Sequence, residues 1–329
     1  MAILVCTFFT TFTGASGVTI LAVGGLLSYV LIKGQYNKKF SSGLLTAVGS
    51  IGLLFPPSLP VIIYGVTAQV SIKDMFIGGI APGIIMVLAM VLFGILFAKR
   101  NKVPRDRFVL KEALAAMKDS FWEILLPLII VWGYFGGITT LVESGAVAVI
   151  YTLIIEVFVH RDIKVRQLSN VLLKCMPVIG GVLAILALAK GLSYYIVDAE
   201  IPMQLTAWVQ STISSKYVFL LLLNLALLVT GCFMDIFSAI MVVVPLIIPL
   251  GNLFGIHPVH LGIIFLANME LGYLTPPVGL NLYLASYTFN EPIGKIYKDV
   301  FPFLMIQLAT VLLITYIPFF STGLLGLLK

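Results

Sequence analysis

Leu271-Gly272-Tyr273-Leu274-Thr275-Pro276-Pro277-Val278-Gly279-Leu280-Asn281 lies inside an apolar segment, Val259 to Tyr287, that is long enough to cross a bilayer. Two adjacent prolines remove two backbone donors and clash with the preceding turn, so a continuous helix cannot pass through them. A helix broken at membrane depth leaves bare N–H and C=O groups, each costing several kcal/mol unless protein, water or a ligand satisfies it. Such a break is tolerated where it lines a cavity, which makes this stretch half of an expected solute and ion site.

The interruption occurs twice. Gly49-Ser50-Ile51-Gly52-Leu53-Leu54-Phe55-Pro56-Pro57-Ser58-Leu59-Pro60 repeats the small-residue approach and the Pro-Pro step, followed by the apolar exit Val61-Ile62-Ile63-Tyr64. A second interruption precedes each break at a similar distance: Thr13-Gly14-Ala15-Ser16-Gly17 before the first, and Thr230-Gly231-Cys232-Phe233-Met234-Asp235 before the second. Gly14 to Pro56 is 42 positions and Gly231 to Pro276 is 45. Paired discontinuities in two halves of a membrane chain point to a transporter site at a repeat interface.

Composition excludes a soluble chain: 60% of residues are hydrophobic, 10% are charged, and the mean hydropathy is +1.11. Repeated apolar runs near span length predict a polytopic helical membrane protein, and the short alternating segments of a β-barrel are missing. Cys6, Cys175 and Cys232 sit in apolar surroundings and match no metal or disulfide spacing. The net charge of +6 implies no nucleic acid partner, because the basic residues lie in loops between spans.

Taken in order, Ala2–Phe12 and Val18–Ile32 are short apolar arms around the turn Gly14–Gly17, which favours a re-entrant hairpin. Ser41–Val70 is the first broken span, and 1–70 forms the first half of a transport domain. Residues 71–175 hold expected scaffold helices: spans Phe76–Ala98, Phe121–Ile138 and Gly145–Val159, with Arg107–Ser120 as an amphipathic helix in the interface plane. Residues 176–216 hold a connecting span, Met176–Val197, and a more polar surface segment. Residues 217–290 form the second half: arms Tyr217–Thr230 and Ile236–Leu250 turning at Gly231–Asp235, then the second broken span. Residues 291–329 contain the last span, Val300–Phe320.

Charge orients this layout. With re-entrant hairpins and crossing broken segments, loops 33–39, 99–118, 161–174 and 291–298 share one side and hold 16 of the 20 lysines and arginines. The first hairpin then opens to the cytoplasm, and the second hairpin and the C-terminus lie outside, which is an inverted topology. About 100 residues of spans precede the second hairpin and almost nothing precedes the first. The expectation is therefore a chain that is N-terminally incomplete, or one whose first helices are supplied elsewhere.

Gly14-Ala15-Ser16-Gly17, Gly52-Leu53-Leu54-Phe55-Pro56-Pro57-Ser58, Tyr64-Gly65, Phe233-Met234-Asp235, Gly255-Ile256-His257-Pro258-Val259-His260 and Leu274-Thr275-Pro276-Pro277-Val278-Gly279-Leu280-Asn281-Leu282 together resemble one family. It is the large membrane subunit of the tripartite ATP-independent periplasmic (TRAP) transporters, and the similarity runs through essentially the whole chain. It implies an all-α elevator transporter of the bacterial inner membrane, with inverted repeats, two re-entrant hairpins and two broken transmembrane helices. The implied activity is Na+-coupled symport of an organic acid delivered by a periplasmic binding protein. The implied partners are that binding protein and a small four-helix membrane subunit. The family's first hairpin tip commonly carries adjacent serines; here Gly17 follows Ser16, with Thr19 as the alternative hydroxyl.

Na+ is a hard cation that takes oxygen ligands, and broken helices offer carbonyls at the negative ends of half-helices. One ion is expected between Gly14, Ala15 and Ser16 of the first tip and Phe55, Pro56 and Ser58 of the first break. A second is expected between Gly231, Met234, Leu274, Thr275 and Pro277. Half-helix N-termini near Gly17, Ser58, Asp235 and Val278 favour a carboxylate in the space between. Ser16, Ser58, Asp235, Val278 and Asn281 are the candidate solute contacts, with Thr275 as a further hydroxyl.

Each residue also has a plainer reading. The tip glycines permit tight turns, and Ser58 caps a helix, which is compatible with a ligand role. Asp235 binds an ion, contacts the solute, or caps its helix, and Glu270 is read first as a structural hydrogen-bonding group. His257 and His260 belong to an expected surface turn. Two rival functions stand beside transport in a complex: a stand-alone Na+/dicarboxylate or citrate-type symporter, and, remotely, an intramembrane serine protease built on Gly14-Ala15-Ser16-Gly17. A protease needs a base within reach of Ser16, and all three histidines fall in loops.

Overall fold

The computed structural model describes residues 1–104 and 109–327. Among them the secondary structure is entirely helical, as a bilayer requires of any chain that is not a closed barrel. Seven helices are long and apolar enough to cross: Ser16–Lys33, Ile72–Arg100, Val142–Val159, Val165–Asp198, Lys216–Phe233, Ile236–Leu253 and Ile293–Tyr316. An eighth crossing is possible if Lys38–Leu54 and Leu59–Ala68, bent by 45° at their junction, count as one span. The chain is thus a polytopic membrane protein. Ser16–Lys33, Lys216–Phe233 and Ile236–Leu253 each have 18 residues, longer than the arms expected from sequence, because the helices continue through their small and polar ends. The expected amphipathic helix is seen as Leu110–Asp119; Arg107 and Phe108 lie outside the described residues.

Two compact units divide the chain: Met1–Pro104 with Ile185–Lys329, and Arg105–Ala184. In the smaller unit Phe121–Phe135 packs on the helix beginning at Leu141. The Tyr151 hydroxyl donates to Trp122 O at 2.9 Å. Thr140 and Glu143 form a reciprocal capping box that satisfies two N-terminal donors.

The larger unit is built around Pro258–Gly272, whose residues from Val259 to Gly272 are all buried. A mostly apolar helix enclosed on every side belongs in an interior, and its polar side chains His260, Asn268 and Glu270 are buried with it. Lys216–Phe233, Ile236–Leu253, Ile72–Arg100, Ile293–Tyr316 and Leu59–Ala68 all pack on it. Glycines set the closest approaches. A Cβ at Gly262 would meet the Tyr64 ring at 2.5 Å, and one at Gly78 would meet Val259 at 2.5 Å. The base of the first broken span is fixed to Ile293–Tyr316: Ser42 Oγ donates to Asp299 Oδ2 at 2.9 Å, Gln307 Nε2 donates to Ala47 O at 2.8 Å, and Phe40, stacked on Phe97, makes a tilted ring contact with Phe303. Glu291 bridges Lys38 and Lys295, the latter at 2.8 Å.

Candidate functional site: two broken helices

At the first break Lys38–Val48 gives way to a tight turn, Ile51–Leu54. Extended residues follow from Phe55, and the helix resumes at Leu59–Ala68 with Pro60 in its first turn, where a missing N–H costs nothing. At the second, Pro258–Gly272 ends in turns and the helix resumes at Leu280–Phe289 after Gly279, whose φ is +55°. Both Pro-Pro peptides are cis.

The first hairpin, Ala2–Thr13 and Ser16–Lys33, turns at Gly14 with φ +61°. Its tip lies on the first break: a Cβ at Gly14 would meet Leu59 Cβ at 3.0 Å and Leu59 N at 3.2 Å. Thr10 Oγ1 donates to Gly49 O at 2.8 Å and lies 2.6 Å from Thr19 Oγ1, and Thr11 Oγ1 donates to Gly52 O at 3.2 Å. Each hydroxyl shares its one proton between the break and a carbonyl of its own helix, Cys6 O at 2.9 Å for Thr10 and Thr7 O at 2.8 Å for Thr11, and Gly52 O accepts from Phe55 N as well. Gly14, Ala15, Ser16, Phe55, Pro56 and Ser58 are therefore neighbours on two packed segments. Phe55 O already accepts from Ser58 N at 2.9 Å, which uses one of the two lone pairs a carbonyl offers. From outside, Ile72–Arg100 cradles this break. A Cβ at Gly79 would meet Leu54 O at 2.3 Å, one at Gly83 would meet the Phe55 ring at 2.7 Å, and Pro82 lies inside the same helix.

The second hairpin is helical through Phe233, so Gly231 is not in the tip turn; only Met234 and Asp235 are extended. Gly231 serves close packing instead. A Cβ at Gly272 would lie 2.5 Å from Gly231 Cα, and one at Gly231 would lie 3.1 Å from Met269 Cα. Gly279 N donates to Cys232 O at 3.0 Å, the Cys232 thiol donates to Thr275 O at 3.1 Å, and Ile236 N donates to Tyr273 Oη at 2.7 Å. Gly231, Met234, Leu274, Thr275 and Pro277 thus lie on segments that touch. The Thr275 and Pro277 carbonyls each already accept one bond, the latter from Tyr297 at 2.7 Å, leaving one lone pair apiece.

The candidate solute contacts fall into two groups. Ser16, Ser58 and Asn281 are buried, at 3%, 0% and 0% exposure. Among the described residues, Ser58 Oγ and both amide atoms of Asn281 have no hydrogen-bond partner. Ser58 makes no cap bond, so its buried hydroxyl is spare. The tip segment beginning at Ser16 packs on both the first break and Leu280–Phe289, with Gly17 set against Leu284, so the segment of Ser16 touches those that carry Ser58 and Asn281. Asp235 caps its helix, accepting from Phe237 N at 2.9 Å, from Ser238 N at 3.1 Å and from the Ser238 hydroxyl. Val278 is 36% exposed in the loop before Gly279.

Two hydroxyls at the first break have no role in the sequence reading, and Glu270 and His260, read there as a structural hydrogen-bonding group and a surface-turn residue, stand differently in the structure. Ser50 Oγ and the Tyr64 hydroxyl are buried without partners, and both lie in the quoted Gly49-to-Tyr64 stretch. Glu270 is fully buried and neither of its oxygens reaches a partner at hydrogen-bond geometry. His260 is not in a surface turn. It is 1% exposed, with Nδ1 2.6 Å from Ser321 Oγ and Nε2 3.1 Å from Thr315 O. The turn ends one residue earlier, at His257, which caps the helix by accepting from Val259 N.

A family model described as the tripartite ATP-independent periplasmic transporter, DctM component, matches residues 1–320. The chain is similar to the C4-dicarboxylate TRAP transporter large permease protein DctM of Pseudomonas aeruginosa, at 34% identity over 98% of this chain and 76% of the relative. The protein of the same name from Vibrio cholerae is 32% identical over 99% of this chain and 77% of its own length. The isethionate TRAP transporter permease protein DctMQ of Oleidesulfovibrio alaskensis is 34% identical over 95% of this chain and half of its own length. All three are named as transporter permeases, not enzymes. Two broken helices with tips packed on them, in a chain matched almost end to end, identify it as a member of the DctM family, the large membrane subunit of TRAP transporters.

Proposed function

We propose that this subunit carries out Na+-coupled uptake of an organic acid across the bacterial inner membrane. The acid is handed over by a periplasmic binding protein, and a small membrane subunit stands alongside. The observation that carries the reading is the set of buried, unpartnered polar atoms at the two breaks, Ser58 Oγ and the Asn281 amide. Buried polar groups are nearly always hydrogen-bonded, so a spare hydroxyl and a spare amide between broken helices favour a polar occupant.

One Na+ binds at Gly14, Ala15, Ser16, Phe55, Pro56 and Ser58, and a second at Gly231, Met234, Leu274, Thr275 and Pro277. The acid takes the donors of Ser16, Ser58 and Asn281, together with the free N–H groups where Leu59–Ala68 and Leu280–Phe289 begin; Val278 and Asp235 border it. The two relatives named for a C4-dicarboxylate and for isethionate support an anionic cargo, and selectivity among acids rests mainly on the binding protein. The two halves are inverted repeats, the hairpins are re-entrant, and the mobile part slides as an elevator with the C-terminus on the periplasmic side. Each net positive charge carried inward, counted after the charge of the acid itself, gains ~2.3 kcal/mol per 100 mV, so two or more Na+ ions per acid concentrate it through the Na+ gradient and, for a monoanion, through the potential as well.

Reconstituted complex should take up acid only with a Na+ gradient and only with its binding protein present. Uptake that needs no binding protein would replace this reading with that of a stand-alone symporter, and uptake indifferent to Na+ would remove the coupling.

A further inference from the structure

Glu270 has no place in the two Na+ sites above, yet it is the most deeply enclosed acid among the described residues. It lies on Pro258–Gly272 at 0% exposure, between the buried residues Met269 and Leu271. That helix packs on the turn Ile51–Leu54 of the first break, and the Leu54 N–H lies on the carboxyl's side. Neither oxygen, however, has a partner at hydrogen-bond geometry. Gly79 brings Ile72–Arg100 against Leu54 from behind, and on the helix's Lys216–Phe233 side Gly231 closes on Met269 and Gly272.

The ionisable groups on this helix and on the segments packed against it include Tyr64, Cys232, Asp235, His257, His260, Tyr273 and Asp299, with Lys216 at the start of a packed helix. Among the described residues none forms an ion pair with Glu270. Tyr273 bonds Ile236 N, Asp235 caps Ile236–Leu253, His260 is engaged by Ser321 and Thr315, and Asp299 by Ser42. The lysines of the packed helices lie at their ends. A carboxylate at membrane depth without a counter-charge is costly and marks ion or proton pathways. Its position also matters, because Glu270 belongs to the approach helix of one break and faces the backbone of the other.

We propose that Glu270 is a separate monovalent-cation site, taking up a proton or Na+ that travels with the cargo. This rests on the transport reading above. Binding neutralises the carboxylate in the loaded protein, and release on the far side returns it bare.

The test uses the reconstituted complex with Glu270→Gln, a neutral near-isostere, and Glu270→Asp. The expected result is that Glu270→Gln moves one positive charge fewer per solute. If the cation is a proton, the pH dependence of uptake is lost and the Na+ activation slope is kept. If it is Na+, the slope falls and the pH profile stays. Charge per solute, Na+ slope and pH profile all identical to the parent protein would overturn the proposal and leave a neutral packing carboxyl. Should Glu270→Gln fail to assemble, Glu270→Asp decides: a cation site keeps its charge count and shifts its half-saturating cation concentration several-fold, whereas unchanged values overturn the proposal. Detergent-purified complex without solute separates this from the transport reading. NaCl against choline chloride, or a change of pH, should shift the melting temperature of the parent protein more than that of Glu270→Gln, whether or not uptake is Na+-driven. Equal shifts would overturn it.

Discussion

The two breaks share a Pro-Pro step and little else in how they are held. The first is pinned by hydroxyls: Thr10 and Thr11 reach from the hairpin to carbonyls of Gly49 and Gly52, and glycines of Ile72–Arg100 close in behind. The second is pinned by the main chain: Gly231 lies directly on Gly272, Gly279 N bonds Cys232 O, and the Tyr273 hydroxyl takes the first free N–H of Ile236–Leu253. In both, the freed backbone groups are partly satisfied from within, and a few polar atoms are left over. The lesson is that the prolines mark where a helix stops, whereas the left-over atoms, Ser58 Oγ in one half and the Asn281 amide in the other, mark where hydrogen bonds are still unmade.

The contrast is most severely challenged by filling the glycine contacts. Gly272→Ala puts a methyl 2.5 Å from Gly231 Cα, and Gly52→Ala puts one 2.3 Å from Thr7 O. In both cases the obstacle is backbone, which cannot rotate away. Each should cost about 1–3 kcal/mol and lower the melting temperature of purified protein; a native melting curve for Gly272→Ala would show that the second break is not held by this contact.

Thr10→Val comes next. It keeps the shape but leaves Gly49 O and Thr19 Oγ1 without the Thr10 hydroxyl, at a cost of about 1–2 kcal/mol. Only the first half should loosen, seen as faster amide exchange around residues 49–55 with residues 272–279 unaffected.

Thr275→Ala and Ser58→Ala form a sharper pair. Thr275 Oγ1 donates to Leu271 O at 3.0 Å, so its loss should cost about 0.6 kcal/mol, whereas Ser58 spends its hydroxyl on nothing in the protein. Ser58→Ala should therefore melt normally while requiring more Na+ for half-maximal uptake. Unchanged Na+ activation in both variants would remove the ion assignments.

The smallest effect concerns Glu291, which joins Lys38 at the foot of the first broken span to Lys295 beyond the second. Lys295, and then Lys38, hold its carboxyl below the usual carboxylate range. A folded-state value lowered in this way adds stability above the ordinary carboxylate pKa, and that stability is lost as pH falls through the folded value. Glu291→Gln should melt slightly below the parent protein at pH 7 and level with it in strong acid. A gap that persists in acid would assign the effect to packing.

Much of this architecture was legible in residues that carry their own geometry. Pro56-Pro57 and Pro276-Pro277 mark the breaks because proline acts on its own backbone, and Gly14 marks a tip because the turn there takes a left-handed residue, φ +61°. What escaped depends on partners distant in sequence. Gly231 reads as a turn until Gly272 is seen against it. Gly79 and Gly83 read as ordinary members of a span until Leu54 and Phe55 lie on them. His260 follows a Gly-Ile-His-Pro turn and looks exposed, but the segment from Thr315 to Ser321 folds over it. For Glu270 the sequence gives the acid and its depth but not the lack of a partner, which is a property of everything around it.

Gly17 rests under Leu284 and Gly24 against Phe289, while Gly262 admits the Tyr64 ring, so each half is dovetailed into the other at several heights. There is no seam along which they could part like a book without uncovering apolar surface on both leaves.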